Sequence, residues 1–193
     1  MSTLRKIWNF IWHDDSILSW IVNIILALVI VKFLIYPGLG LIFSTNYPLV
    51  AVVSGSMEHE GKSFDDWWLS SGVWYEKNNI TKDQFEKFRF KNGFNKGDIM
   101  ILFAPKKIKP GDVIVYNGGS SYPIIHRVVK VNEGSTYLVK GDHNSDKDPV
   151  VVKESVGKAV IRIPFLGFIK IWFIDYLFNP FMKLVYWMIG MFK

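Results

Sequence analysis

The stretch IMILFAPKKIKPGDVIVYNGGSSYPIIHRVVKVNEGSTYLVK, residues 99–140, decides the fold. It alternates short runs rich in Ile and Val with clusters of Gly, Pro, Asn and Asp. Ile99–Phe103, Val113–Tyr116, Ile124–Val131 and Tyr137–Val139 read as strands. Lys109-Pro110-Gly111-Asp112, Asn117-Gly118-Gly119 and Asn132-Glu133-Gly134 read as the turns between them. Leu49–Val53 before this stretch, and Val150–Val152 and Lys158–Ile163 after it, complete a set of short strands. Such a set predicts a mainly β fold, a compact barrel-like or folded sheet.

Upstream, Ile17–Tyr36 (ILSWIVNIILALVIVKFLIY) is a run of about 20 residues, the number needed for a helix to cross the hydrocarbon layer. Its polar side chains are Ser19, Asn23 and Lys32, and Lys32 can snorkel toward the interface. Trp20 and Tyr36 sit near the ends, where amphipathic rings prefer the interface. A cleaved leader would have a shorter apolar core and a small-residue cleavage site. This run instead leads into Pro37-Gly38 and Leu39–Phe43, so it reads as an anchor. Arg5 and Lys6 before it favour a cytoplasmic N-terminus.

Between strand and stretch lies an insert, about residues 62–95, with Phe64, Trp67, Trp68 and Leu69, then Phe85, Phe88 and Phe90, at partly helical spacing. Asp83 and Gln84 after Thr81 fit a helix start. Asn79-Ile80-Thr81 matches a glycosylation sequon, meaningful only on a translocated face. The C-terminal stretch Phe165–Phe192 is apolar and aromatic, interrupted by Lys170, Asp175, Asn179-Pro180 and Lys183. Two readings fit it: one crossing kinked at Pro180, or two short amphipathic pieces in the interface.

Composition agrees with a membrane-attached globular domain. Half of the 193 residues are hydrophobic and 16% are aromatic, and the excess sits at the two ends. The formal charge of +6 is spread among acids without a dense basic stripe, which argues against nucleic acid and for a solvated surface near a membrane. The chain has no cysteine, which excludes disulfides and thiolate metal sites. Nothing calls for a cofactor or a metal. The Asp-rich loop after residue 140 lacks the closing Glu of an EF-hand.

Chemistry concentrates in three places. Ser54-Gly55-Ser56-Met57 follows a strand directly, but a serine is a poor nucleophile unless a base takes its proton. Of the four histidines, His13 precedes the span, and His59 and His143 fall in loops. His126 is embedded in Ile124–Val129, where a rigid element holds it. The loop Lys140–Pro149 offers Asp142, Asp146 and Asp148, any of which could fix an imidazole tautomer.

In this order, behind an anchor, the Ser54–Met57 box, His126-Arg127-Val128, and Gly141-Asp142 with Asp148 six positions on resemble the type I signal peptidases, specifically the archaeal and endoplasmic-reticulum branch. The resemblance covers roughly Leu49 to Gly167, including Lys109–Val113 and Ile163–Gly167. The bacterial branch has lysine where this chain has His126. The resemblance implies Ser56 as nucleophile and His126 as general base. It implies Asp148 and Asp142 as candidate acids, and Ser54 with the Ser56 backbone N–H as the oxyanion hole. It further implies a membrane-bound serine endopeptidase cutting signal peptides from secretory preproteins after Ala-x-Ala-like sites, in contact with the lipid bilayer and with possible partner subunits or translocation machinery.

On this reading residues 1–15 form a cytoplasmic segment and 16–44 the anchor. Residues 45–163 form an exocytoplasmic β catalytic domain on a cell or endoplasmic-reticulum-type membrane, and 164–193 a membrane-associated tail. Rival readings are a self-cleaving serine protease domain and a non-enzymatic membrane-anchored scaffold. Two departures stand out from the family pattern. His59 occupies the position where proline is usual, which predicts a looser loop after Met57, and His143 replaces the usual asparagine. The tryptophan-rich insert looks like an elaboration of this lineage.

Overall fold

The computed structural model describes residues 3–105, 107–119 and 123–172, together with residues 180, 183 and 190. The expected membrane-associated tail therefore lies outside the described residues beyond Trp172. The chain forms two compact units, residues 1–46 and 47–193.

In the first unit, helix α1 (Thr3–His13) is followed by α2 (Ile17–Ile30), a π-helical turn (Val31–Ile35) and α3 (Tyr36–Phe43). The last three make one apolar helix of 27 residues, Ile17–Phe43. At 1.5 Å per residue that is about 40 Å, more than the roughly 30 Å hydrocarbon layer requires. The helix passes through Pro37. Proline has no N–H and crowds the carbonyl four residues back. The π turn lies just ahead of it, and within it Tyr36 N–H bonds to Val31 O, five residues back.

The polar side chains of the first turns are also satisfied. Ser19 Oγ donates to Phe10 O at 2.6 Å, and Asn23 Nδ2 donates to Ile11 O at 2.9 Å, so both serve the free carbonyls at the end of α1. Helix α1 is amphipathic: Leu4, Ile7, Trp8 and Ile11 fall on one face, and Lys6, Asn9 and His13 on the other.

The second unit is built on one six-stranded antiparallel sheet. Its strands are β1 (Leu49–Ala51), β2 (Ile99–Phe103), β3 (Val113–Tyr116), β4 (Ile124–Asn132), β5 (Thr136–Lys140) and β6 (Gly157–Ile163), in the order β1-β2-β6-β3-β4-β5. Register shifts at Ile101/Leu102 and at Val128/Lys130 bend it.

Two expected strands differ. The first stops at Ala51, because Val52 turns to bond Asp98 O and Gly97 N. Val150–Val152 contributes a single bridge, Val152 to Tyr137. Pro149 just before it has no N–H for a ladder, and Val150 and Val151 are exposed.

The insert holds α4 (Phe64–Lys77) and α5 (Lys82–Glu86). Ser63 caps α4 by accepting from Asp66 N, and Asp65 and Asp66 suit its positive end. Thr81 and Gln84 form a reciprocal capping box on α5. Phe64, Trp67, Trp68, Tyr75 and Phe85 bury one another together with Val129 of β4. Aromatics of this size bury on the order of 150–250 Å² each, so the insert is a cover bolted to the sheet by its own core. A second core joins Val52, Met57, Phe94, Val113, Val115 and Ile125; a third joins Ile114, Tyr116, Val128, Val139 and Val152. Strand β4 is buried on both faces from Ile125 to Val129, which explains its continuous rather than alternating apolar text. The short α6 (Gly167–Trp172) is the last named element of this unit.

Candidate active site

Strand alternation on β4 sets up the site. Successive side chains on a strand point to opposite faces, so His126 and Arg127 serve two different neighbourhoods. His126 shares its face with its register partner Ile114 and lies beside Tyr116. Its Nε2 is 2.9 Å from Ser56 Oγ and its Nδ1 is 2.5 Å from Asp148 Oδ2. The imidazole and Asp148 are 6% and 8% exposed, dry enough to strengthen their interaction. Tyr116 also donates its hydroxyl to Asp148 Oδ2. Burial and the adjacent carboxylate push that phenol far above its ordinary range, so it stays a donor. The backbone N–H of Asp148 bonds Val139 O at 2.9 Å, fastening the loop to β5.

Arg127 faces the other way. Its five N–H groups meet Asp142 Oδ1 and Oδ2 and the carbonyls of Arg89, Gly111 and Phe90, at 2.6–3.1 Å. Asp142 accepts further from the Tyr75 hydroxyl at 2.8 Å and faces His59 Nε2 at 3.3 Å. Burial alone would raise the Asp142 carboxyl; the Arg127 charge overrides it and holds the group well below the usual carboxylate range. Of the two carboxylates the sequence left open, Asp148 meets the imidazole, and Asp142 pairs with Arg127.

The loop that carries Ser56 is held by its backbone. Ser56 O accepts from His143 N at 2.9 Å, Met57 O accepts from Phe94 N at 3.0 Å, and Met57 is fully buried. The looseness expected after Met57 is not what the structure has: His59 is 3% exposed and tightly packed. Ser54 is exposed, with its Oγ 3.2 Å from Ser56 Oγ. His143 points elsewhere, exposed and 3.9 Å from Glu60. Two participants escaped sequence reasoning. Tyr116 reads as an ordinary strand aromatic. Lys140, 1% exposed, gives its ammonium to Gly141 O at 2.9 Å and lies over the rings of Trp74 and Tyr75.

A hydroxyl, an imidazole and a carboxylate in line are the parts of a serine hydrolase. No protein-family model matches the chain. Curated relatives do. The chain is 29% identical over 160 residues to the signal peptidase complex catalytic subunit SEC11 of Colletotrichum graminicola, covering 75% of this chain and 74% of that protein. It is 29% identical over 157 residues to SEC11 of Lachancea thermotolerans, covering 72% and 74%. Human SEC11C is 28% identical over 159 residues, covering 74% of this chain and 66%, just under two thirds, of that protein. The chain is a homologue of signal peptidase complex catalytic subunits, and that homology supports a signal peptidase activity.

Proposed function

We propose that this chain removes N-terminal signal peptides from secretory preproteins at a membrane surface, cutting after small-residue, Ala-x-Ala-like sites. The observation that carries the reading is the line Ser56 Oγ–His126 Nε2 at 2.9 Å, continued from Nδ1 to Asp148 at 2.5 Å. His126 takes the Ser56 proton as Oγ attacks the scissile carbonyl, and Asp148 holds the tautomer and steadies the imidazolium. Ser54 Oγ and the Ser56 N–H receive the developing oxyanion. His126 then protonates the leaving amine, and water, deprotonated by the same imidazole, releases the acyl group from Ser56.

The apolar helix Ile17–Phe43 supports a membrane anchor. We place the N-terminus in the cytoplasm and the β domain across the membrane, where signal peptides emerge. Anchoring enzyme and substrate in one bilayer raises their effective concentration. Exposed Phe165, Ile169 and Trp172 at the start of the tail support a second membrane contact. The relatives are named as subunits of a complex, which supports partner subunits here as well.

The test is cleavage of a membrane-targeted preprotein by the detergent-solubilised full chain, wild type against Ser56→Ala and His126→Ala. Cleavage after an Ala-x-Ala site by wild type alone is the expected result. A surviving His126→Ala overturns the assignment of the base. A folded wild type that never cuts, even in the presence of microsomal membranes, overturns the peptidase reading in favour of a scaffold.

A further inference from the structure

Two features at which the sequence departs from the resemblance, His59 and the tryptophan-rich insert, touch each other in the folded protein. The His59 ring stacks on Trp67 with centroids 3.8 Å apart and planes 5° from parallel. Gly93, at φ +66°, also lies against the ring: an added Cβ there would meet His59 Cδ2 at 2.6 Å and Met57 O at 2.3 Å. His59 Nε2 faces Asp142 Oδ2 at 3.3 Å, and the buried Nδ1 has no hydrogen-bond partner among the described residues. A carboxylate only accepts, so Nε2 carries the proton. In the neutral ring Nδ1 is then a bare lone pair, a state that spares the site an N–H without an acceptor.

We infer that His59 is a positioning residue: through its hydrogen bond to Asp142 it couples the aromatic insert to the loop that presents Ser56. The inference rests on the reading of Ser56 as nucleophile. Asp142 is followed directly by His143, whose N–H holds the Ser56 carbonyl at 2.9 Å. Asp142 N–H in turn meets Met57 Sδ at 3.4 Å. Moving the Asp142 carboxylate therefore moves the peptide that fixes Ser56, and with it the Oγ–Nε2 approach on the opposite face of β4. The Arg127 clamp defines one edge of Asp142, and Tyr75 and His59, gripped by the insert, define the remainder. Trp67 orients the His59 ring by stacking, and Tyr75 comes from the same helix α4 as Trp67. The insert thus reaches the reaction centre without touching a reacting atom.

Two variants of the full chain separate the hydrogen bond from the packing. His59→Phe keeps a ring on Trp67 and loses the donor; His59→Gln keeps a donor. In preprotein cleavage, His59→Phe is expected to lower kcat by about 10- to 100-fold with KM little changed, the scale of a small misplacement of reacting groups. His59→Gln should restore most of the rate, and the melting temperatures of both should stay near wild type. A readout independent of cleavage is hydrogen exchange at the His143 amide, expected to quicken in His59→Phe and to return in His59→Gln. Wild-type kcat in His59→Phe, or a kcat loss that follows melting temperature and is not rescued by Gln, overturns the coupling. Unchanged exchange at His143 overturns it as well, even in a chain whose wild type fails to cut, a failure that would fall on the peptidase reading instead.

Discussion

His126 and Arg127 are sequence neighbours on β4, and each is met on its own face of the sheet by a carboxylate of the same loop, Asp148 for the imidazole and Asp142 for the guanidinium. The two pairs should therefore fail differently. Asp148→Asn is expected to lower kcat by about 10³–10⁴-fold, the cost of a wrong imidazole tautomer, with little change in melting temperature. Asp142→Ala strands a buried guanidinium and should destabilise the domain by about 3–5 kcal/mol. Urea titration beside preprotein cleavage checks both; equal stability losses in the two variants would contradict the division.

Ser54 is exposed and its Oγ lies 3.2 Å from the Ser56 hydroxyl. Ser54→Ala should leave stability within about 0.5 kcal/mol of wild type. As the loss of one oxyanion donor, it should lower kcat by about 10²–10³-fold at similar KM. Steady-state kinetics on a signal-peptide substrate decide this, and a KM effect alone would mean Ser54 only binds.

Gly141 lies against Ser56. A Cβ there would come within 2.6 Å of Ser56 O and 2.8 Å of Asn144 Nδ2. The Asn144 side chain can swing away, but the Ser56 carbonyl is held by His143 N and has to shift. Gly141→Ala should cost about 1–3 kcal/mol of stability as overpacking. It should also lower kcat by more than that loss explains, seen by comparing turnover at temperatures where the variant remains folded.

Lys140 provides a pH signature. Burial pulls its pKa from 10.5 down to about 8. The unfolded chain then binds more protons than the folded one between about pH 8 and 10.5, so stability rises with pH across that window, by at most about 1.4 kcal/mol per pH unit. The destabilisation is fully present below pH 8. Chemical denaturation at pH 7.5, 8.5 and 9.5 should show this rise in wild type and lose it in Lys140→Met. A rise of the same size in the variant would place its origin elsewhere.

Much of the architecture was legible because local chemistry and tertiary outcome agree. Ile99–Phe103 and Val113–Tyr116 are preceded by Gly-Asp and Pro-Gly-Asp turns, and β2 and β3 begin directly after them. Thr81 and Gln84 announced α5 through a capping box that needs only four residues. Val150–Val152 failed as a full strand because β propensity says nothing of whether a ladder partner is in reach, and Pro149 removes a donor at its start. The burial of His59 was illegible for a related reason: a lone histidine after a turn looks solvated until Trp67 of the insert and Gly93, 34 residues on, close on it.

By itself the sequence determined the elements and their chemical stock: the apolar helix, the short strands, Ser56 behind a strand and His126 within one. Periodicity, turn residues and hydrophobicity are properties of neighbouring residues, so they survive reading in one dimension. Only the tertiary structure decided which carboxylate reaches the imidazole. Asp142 and Asp148 share a loop and a charge. Their separation arises from the pleat of β4, which sends His126 and Arg127 to opposite faces, and from the anchoring of Asp148 N–H to Val139 O.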